Sequence, residues 1–351
     1  MATNSFNPIN TTAAPDGNGC ENSGSHDGLI QPLKIMSLII YSLAFILGVL
    51  GNGVVIWVTG FKMKKTVNTF WYLNLAVADF VFVAFLPLSV TYTALDFHWP
   101  FDNFMCKLNT TISFLNMFAS VYILVVISVD RCVSVVWPVW AQNHRNVRKA
   151  SYVSLCVWVV ALILSAPYFI FRDTEKVCDK ILCFNNYALS DDYETPSAMI
   201  ITRFLLGFVV PFTVIVSCYA VIIHRLRRNR TLANQSSRPF KIIAAIIITF
   251  FLCWAPFHIM GLIEMARSPW MVCPPSKPIG MPLATSLAFL NSCLNPILYV
   301  FMGHDFKDKV HRSILNVLVA AFREEQIRSH IYRKSVDTSQ SNMKSDLNTE
   351  V

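Results

Sequence analysis

Asn295-Pro296-Ile297-Leu298-Tyr299 closes the last long apolar run of the chain and sets a helix-breaking proline among hydrogen-bonding side chains. Proline removes a backbone donor and collides with the preceding turn, which frees a carbonyl that only a neighbouring helix or water can answer. The break therefore belongs inside a bundle. Asp79, in Asn74-Leu75-Ala76-Val77-Ala78-Asp79, places an ionisable group deep in a second apolar run, where a charge is costly unless paired. Asn116 and Ser120 stand four apart in a third run, and Asn291 and Asn295 repeat that spacing in the last. Each pair shares a helix face. Gathered around Asp79, these oxygens would cage a monovalent cation; the alternative is a protonated Asp79 in a plain interhelical hydrogen-bond network. Asp130-Arg131-Cys132 sets an acid–base pair at the end of the third run. Arg131 either pairs with Asp130 and swings toward a partner or Tyr219 when the bundle opens, or simply reaches for the polar interface.

The elements that must position these residues follow from composition. Hydrophobic residues make up 54% of the 351 and charged residues only 14%, a balance of membrane chains. Apolar stretches of spanning length, about 20 residues, occur at 33–60, 69–95, 104–136, 150–171, 197–223, 239–265 and 280–302. The expected class is an all-α membrane protein, a seven-transmembrane helix bundle. Lys62, Lys64 and Lys65, then Arg145, Arg148 and Lys149, then Arg225, Arg227, Arg228, Arg230 and Arg238 occupy alternate connections, which puts those connections in the cytosol. The amino terminus is then extracellular and the carboxyl terminus cytoplasmic. The +8 net charge reads as topology, with no nucleic acid implied. Residues 1–28 lack the apolar core of a cleavable signal, so the first span is expected to direct insertion. The expected divisions are an extracellular tail, 1–32; the helical domain, 33–302; an amphipathic membrane-surface helix, 303–322; and a disordered cytoplasmic tail, 323–351.

Five of the ten cysteines fall on the oxidising side: Cys20, Cys106, Cys178, Cys183 and Cys273. Cys106 at the outer start of the third span and Cys183 in the long fourth connection are the expected disulfide, stapling that loop across the bundle mouth. The other three leave several pairings open, including a free thiol. Asn10-Thr11-Thr12 is an exposed glycan acceptor pattern. Gly48, Gly51 and Gly53 lie in the first span, where close helix packing explains them. No metal-ligand cluster, nucleophile triad or phosphate loop stands out, so no enzyme is expected.

Asn52, Asp79, Arg131, Trp158, Pro211, Tyr219, the run Cys253-Trp254-Ala255-Pro256 and Asn295 to Tyr299 follow one another span after span. Together they resemble the rhodopsin-like family of G-protein-coupled receptors over residues 35 to 322. The resemblance implies that Asn52 and Asp79 form a polar core that can take an allosteric sodium ion with Asn116, Ser120, Asn291 and Asn295. It implies activation switches at Asp130, Arg131, Tyr219, Phe250, Trp254, Pro256, Pro296 and Tyr299, and a connector of Val121, Pro211 and Phe250. No other cofactor is implied. Longer strings, among them Pro138-Val139-Trp140-Ala141-Gln142-Asn143-His144-Arg145 and Cys183-Phe184-Asn185-Asn186, resemble the peptide-chemoattractant subgroup that includes the chemerin, formyl peptide and complement C5a receptors. Ser113 stands where amine receptors carry aspartate, and Phe289 where opsins carry their Schiff-base lysine.

Charge sets out the expected ligand site. Arg203, eight residues before Pro211, and Arg172, after the fourth span, would make bidentate bonds to a carboxylate. Glu264 supplies the opposite sign. Asn185, Asn186, Phe114, Tyr92, Trp99 and Phe289 would hold an amphipathic ligand tail. A chemerin-like peptide entering with its carboxylate toward the arginines is the expectation, beside a reading of Arg172 and Glu264 as mere rim charges. Phe306, Val310, Ile314 and Val317 recur at helical spacing after the last span, as for a helix on membrane lipid. Ser335, Thr338, Ser339, Ser341, Ser345 and Thr349 are candidate phosphorylation sites for receptor kinases, adding the charge arrestins read.

The function implied is a plasma-membrane receptor that signals through an inhibitory heterotrimeric G protein in leukocyte chemotaxis and inflammation. The rivals are a receptor for a lipid mediator, since a carboxylate and an aromatic pocket also describe fatty-acid derivatives, and a scavenging receptor coupled mainly to arrestin. A transporter would need inverted repeats, and a single constellation is seen.

Overall fold

Apolar runs in lipid must satisfy their own backbone, and here they do so as long helices. The computed structural model describes residues 27–177, 179–186, 195–228, 230–266 and 280–302. The spanning helices are α1 (Asp27–Trp57), α2 (Val67–Ala94), α3 (Asn103–Val136), α5 (Val147–Ile170), α6 (Thr195–Phe204) continuing into α7 (Val210–Arg228), α8 (Arg230–Ala266) and α9 (Gly280–Met302). They form the expected seven-helix bundle, and α1 begins earlier than residue 33. Caps set three of the starts. Thr66 and Thr69 exchange side-chain and backbone bonds before α2, Asp102 accepts from the Met105 amide before α3, and Asn146 accepts from the Lys149 amide before α5.

Ile35, Ile39, Leu43, Ile46, Leu47 and Leu50 are exposed along one face of α1. That is the inverse of a water-soluble helix and the pattern a hydrocarbon solvent demands. Polar residues turn inward instead. Asn74 binds α2 to α5, its Oδ1 accepting from Ser154 Oγ at 2.6 Å and Trp158 Nε1 at 3.1 Å.

Prolines shape the inner wall. Pro296 cannot donate to Ser292, four residues earlier, and that carbonyl instead accepts from Asn52 Nδ2 of α1 at 2.8 Å. The ring itself sits against Gly51, where an added Cβ would lie 2.9 Å from the Pro296 Cβ. Pro211 follows a π turn, Leu205–Val209, in which the Val210 amide bonds Leu205 five residues back. In that register Pro211 leaves the Leu206 carbonyl unanswered, and the Tyr122 hydroxyl of α3 donates to it at 3.1 Å. Asn295, beside the proline, is committed to Asp79.

Two elements were not anticipated. α4 (Pro138–His144) is a short helix after α3, opened by proline in its first turn. An antiparallel hairpin, β1 (Arg172–Val177) with β2 (Lys180–Asn185), pairs Arg172 with Asn185 and Thr174 with Cys183. It is the sole sheet among the described residues. The expected surface helix at 303–322, the tail, Asn10, and Cys20, Cys178 and Cys273 lie outside the described residues.

The glycines of α1 separate by what they face. Gly48 and Gly51 leave no room for a side chain against Val83 and Pro296, whereas the nearest atom to a Cβ on Gly53 is 3.8 Å away, at Phe80. Gly51→Val should therefore destabilise the purified protein by about 1–3 kcal/mol, and Gly53→Ala should stay within about 0.5 kcal/mol. Thermal unfolding followed by cysteine-reactive dye checks both; equal effects would remove the packing argument.

Candidate functional site

A disulfide stands at the end of the bundle where α3 begins. Cys106 of α3 and Cys183 of β2 are joined with their Cα atoms 5.9 Å apart, as the topology led one to expect. Trp99 is only 1% exposed and packs on this bridge, its Nε1 donating to the Asp102 carbonyl at 3.0 Å and its backbone amide to Ile181 at 2.8 Å. Arg172 donates from Nε and a terminal nitrogen to Cys183 and from the other terminal nitrogen to Asn185 Oδ1 at 2.8 Å. Asp173 accepts from Asn186 Nδ2, its neighbour Thr174 N, and Asn103 Nδ2. These donors, Asn186 foremost, hold its carboxyl below the usual carboxylate range. Arg172, Asn185, Asn186 and Trp99 thus hold the hairpin in shape. Strand pairing is the reason: it sets Arg172 directly across from Asn185. Tyr92 stands edge-on to Phe97 and Trp99 in the same outer cluster.

Arg203 is placed otherwise. It ends α6, and its guanidinium lies 4.7 Å from the Phe257 ring and 5.5 Å from the Phe114 ring. Phe114 is backed by Tyr168, stacked at 3.6 Å. Arg203 Nε is buried without a hydrogen-bond partner. Gly261 of α8 admits the guanidinium, since a Cβ there would come 2.5 Å from a terminal nitrogen. The two arginines therefore differ: Arg203 faces the helix bundle, and Arg172 serves the hairpin. Phe289 is buried between Tyr41 of α1 and Phe82 of α2 at 4.9 and 5.0 Å. Glu264 is exposed near the outer end of α8.

Below Arg203 lie His258, Trp254 and Phe250 on α8. The Trp254 ring is edge-on to Phe257 at 5.8 Å and 6.1 Å from Phe250. Phe250 and Val121 are buried in one cluster with Ile215, and Pro211, one turn before Ile215, is buried too. Neither His258 nor Tyr122 was singled out from sequence. The signal for Tyr122 was the proline on the facing helix; for His258 it was an imidazole one turn beyond Trp254 in an apolar span.

At mid-bundle Asp79 is 0% exposed and accepts from Asn295 Nδ2 at 2.8 Å. The Asn116 amide, turned so that its nitrogen faces the acceptors, lies 3.2 Å from Asp79 Oδ1 and 3.3 Å from Ser120 Oγ, while its oxygen accepts from Ser292 Oγ at 3.0 Å. Asn291 has neither amide atom partnered, and Asn295 Oδ1 is likewise unpaired. Asn116, Ser120 and Asn295 thus gather at Asp79, joined by Ser292, which the spacing argument passed over. A carboxylate with amide and hydroxyl oxygens, some unsatisfied, is a donor set suited to a small hard cation.

The end of the bundle that carries Asp130 overturns one expectation. Asp130 pairs with Arg145, whose Nε and a terminal nitrogen each lie 2.7 Å from one carboxylate oxygen, and Arg145 also reaches Asn68. Arg131 does not take this carboxylate. It turns inward among Tyr72 and Tyr219, with its Nε and the Tyr219 hydroxyl both unpartnered. The reason is local: α4 folds the following segment back, bringing Arg145 to the end of α3 as a bidentate fork. The Tyr299 side chain lies outside the described residues.

A profile of the family described as "7 transmembrane receptor (rhodopsin family)" matches residues 51–299. The chain is similar to Chemerin-like receptor 1 of Homo sapiens, 48% identical over 308 residues, covering 83% of this chain and 81% of the relative. The C3a anaphylatoxin chemotactic receptor of Danio rerio is 45% identical over 295 residues, 84% and 79% of the two chains. Chemerin-like receptor 2 of Rattus norvegicus is 42% identical over 306 residues, 84% and 85%.

Because Arg145 holds Asp130, Arg145→Ala should speed hydrogen exchange of 137–145 about fivefold, the effect of losing roughly 1 kcal/mol from a partly exposed pair. Arg131→Ala should leave that segment unchanged. Acceleration by Arg131→Ala instead would restore the Asp130–Arg131 pairing.

Proposed function

The chain belongs to the rhodopsin family of seven-transmembrane receptors, and from that premise we propose that it is a plasma-membrane chemoattractant receptor for a chemerin-like peptide. The observation that supports this ligand is Arg203, a cation set between two aromatic rings with a buried donor unmatched. Such a group favours a carboxylate, and the aromatic faces favour the apolar part of the same molecule. The relatives' names, chemerin-like and C3a chemotactic receptors, point to peptide chemoattractants.

The peptide's terminal carboxylate meets Arg203, beneath the disulfide-held hairpin. Ligand must bind the open bundle more tightly than the closed one, since equal affinity would transmit nothing. The change passes from Phe257 to Trp254 and Phe250, and through Val121 and Pro211 to the inner end. There Arg131, its Nε unmatched, and Tyr219, its hydroxyl unmatched, exchange those positions for contacts with an inhibitory-class heterotrimeric G protein. The amino terminus faces outward and the carboxyl tail inward, where receptor kinases and arrestins act on the hydroxyl-rich end.

Asp79, Asn116, Ser120, Asn291 and Asn295 would hold a sodium ion, whose charge lets a fully buried carboxylate remain ionised. The amides satisfy the carboxylate and keep the helices α2, α3 and α9 in register. Replacing a large organic cation by sodium at equal ionic strength should raise stability by about 1.4–2 kcal/mol, the linkage for an ion present at roughly 10–30 times its dissociation constant. Asp79→Ala should remove that increment in a thermal-shift assay.

The ligand assignment is tested by G-protein activation in cells against a synthetic chemerin C-terminal peptide, with a fatty-acid panel alongside. Arg203→Ala should lower peptide potency by about tenfold to hundredfold, as loss of a charge-assisted bond implies, with surface expression unchanged by flow cytometry. Unchanged potency, or activation by the lipids alone, would reject it.

A further inference from the structure

α3 packs directly against α7, and the Tyr122 hydroxyl of α3 ties the two through Leu206 of the π turn. Both helices run in the same direction through the bundle, so residues at similar distances beyond that tie stand at similar depth. Cys132 lies ten residues past Tyr122 and Cys218 twelve past Leu206. Their thiols are hydrogen-bond neighbours across the helix contact. Both are free and half-buried, and Cys132 stands one turn before the end of α3 at Val136. Of the other free cysteines among the described residues, Cys156 is exposed on α5, and Cys253 and Cys293 are buried. Each member of the pair also adjoins a group that the fold leaves unmatched: Arg131, with its buried Nε, precedes Cys132, and Tyr219, with its buried hydroxyl, follows Cys218. Two thiols from neighbouring helices, in contact and reachable from outside the core, make a dithiol that a two-electron oxidant can close.

We propose that Cys132 and Cys218 form a modification site that reacts with hydrogen peroxide and closes into an interhelical disulfide, holding α3 and α7 in the arrangement seen here. One sulfur, as thiolate, attacks a peroxide oxygen; the O–O bond breaks, the sulfur becomes a sulfenic acid, and the departing hydroxide takes the proton that the thiol lost and leaves as water. The second thiol sulfur attacks the sulfenic sulfur, the S–S bond forms as the S–O bond breaks, and a second water leaves with the remaining proton. Two electrons have passed from the two thiols to the peroxide. Beside the new bond, Arg131 and Tyr219 are held turned inward as they stand. Under the proposed function these two must leave those positions to meet the G protein, so the oxidised receptor is silent; this consequence, unlike the bond itself, rests on that reading. The same reading puts this end in the cytosol, where thiols are ordinarily kept reduced. The bond therefore forms in a pulse of oxidant and is reopened by a dithiol reductant.

The test uses the full-length receptor in nanodiscs, treated with hydrogen peroxide, alkylated and digested without reduction. Mass spectrometry of the wild type should find peptides linked through Cys132 and Cys218 after peroxide and not before it, and thioredoxin should remove the link. Both cysteines remaining alkylated as thiols, or either one joined to a different cysteine, overturns the site. Melting followed by tryptophan fluorescence should rise with peroxide in the wild type and in neither Cys132→Ser nor Cys218→Ser; a linked wild type whose melting is unmoved overturns the hold on the helices. Nucleotide exchange on an inhibitory-class G protein, driven by a synthetic chemerin C-terminal peptide, reads the consequence. Peroxide should slow it about tenfold or more in the wild type, within the range that a disulfide's constraint supplies, and leave both serine variants unaffected. A linked receptor that still exchanges at the untreated rate overturns the silencing. Absence of exchange in the untreated wild type counts against the proposed ligand instead, and the link and the melting then decide the site by themselves.

Discussion

The structure depends on carbonyls that prolines release inside a medium without water. Two of these groups are answered by another helix, because the hydrocarbon offers nothing. Asn52 answers Ser292 beneath Pro296, and Tyr122 answers Leu206 ahead of Pro211. These bonds tie α1 to α9 and α3 to the π turn preceding α7. They also fix how the helices are rotated, since each requires one side chain to face one carbonyl. Gly51 makes the first possible by letting the Pro296 ring against α1.

Once those rotations are set, the remaining polar groups fall along one axis. Arg203, His258 and Trp254 lie toward the outside, Asn52, Asn291 and Asn295 around Asp79, and Arg131 and Tyr219 at the inner end. All carry buried polar atoms without protein partners, and among the described residues Trp71 is the one such side chain off this list. Elsewhere hydroxyls and amides are matched, Asn74 with Ser154 and Trp158 being an example. Unmatched groups in a low-dielectric interior carry the largest energetic consequences of any side chains. Under the proposed function, concentrating them on one route would let an external molecule, an ion or a partner protein change the balance between two arrangements.

The hairpin and α4 show where local sequence carried little. Arg172 and Asn185 read as pocket residues because their spacing says nothing about strand pairing; antiparallel register places them across from each other and matches their side chains. Asp130 and Arg131 are adjacent in sequence, yet residues one apart on a helix do not face each other. Arg145, fifteen residues on, reaches the carboxylate because α4 turns the chain back. Trp99 and Phe289 were legible as aromatic and near the mouth, and their burial in the disulfide cluster and against α1 and α2 was not.

Composition and spacing alone determined the seven spans and the inward-facing polar set, and led one to expect the Cys106–Cys183 bridge and polar partners for Asp79. Helical rise is constant, so the depth of each polar residue in the bilayer can be counted along the chain. Tertiary structure decided the partners: Asn52 with Ser292, Arg145 with Asp130, Arg172 with its own hairpin, and Arg203 facing the bundle between Phe114 and Phe257. Partner choice depends on the rotation and close approach of neighbouring helices, which small residues such as Gly51 and Gly261 permit and which no count along a single helix contains.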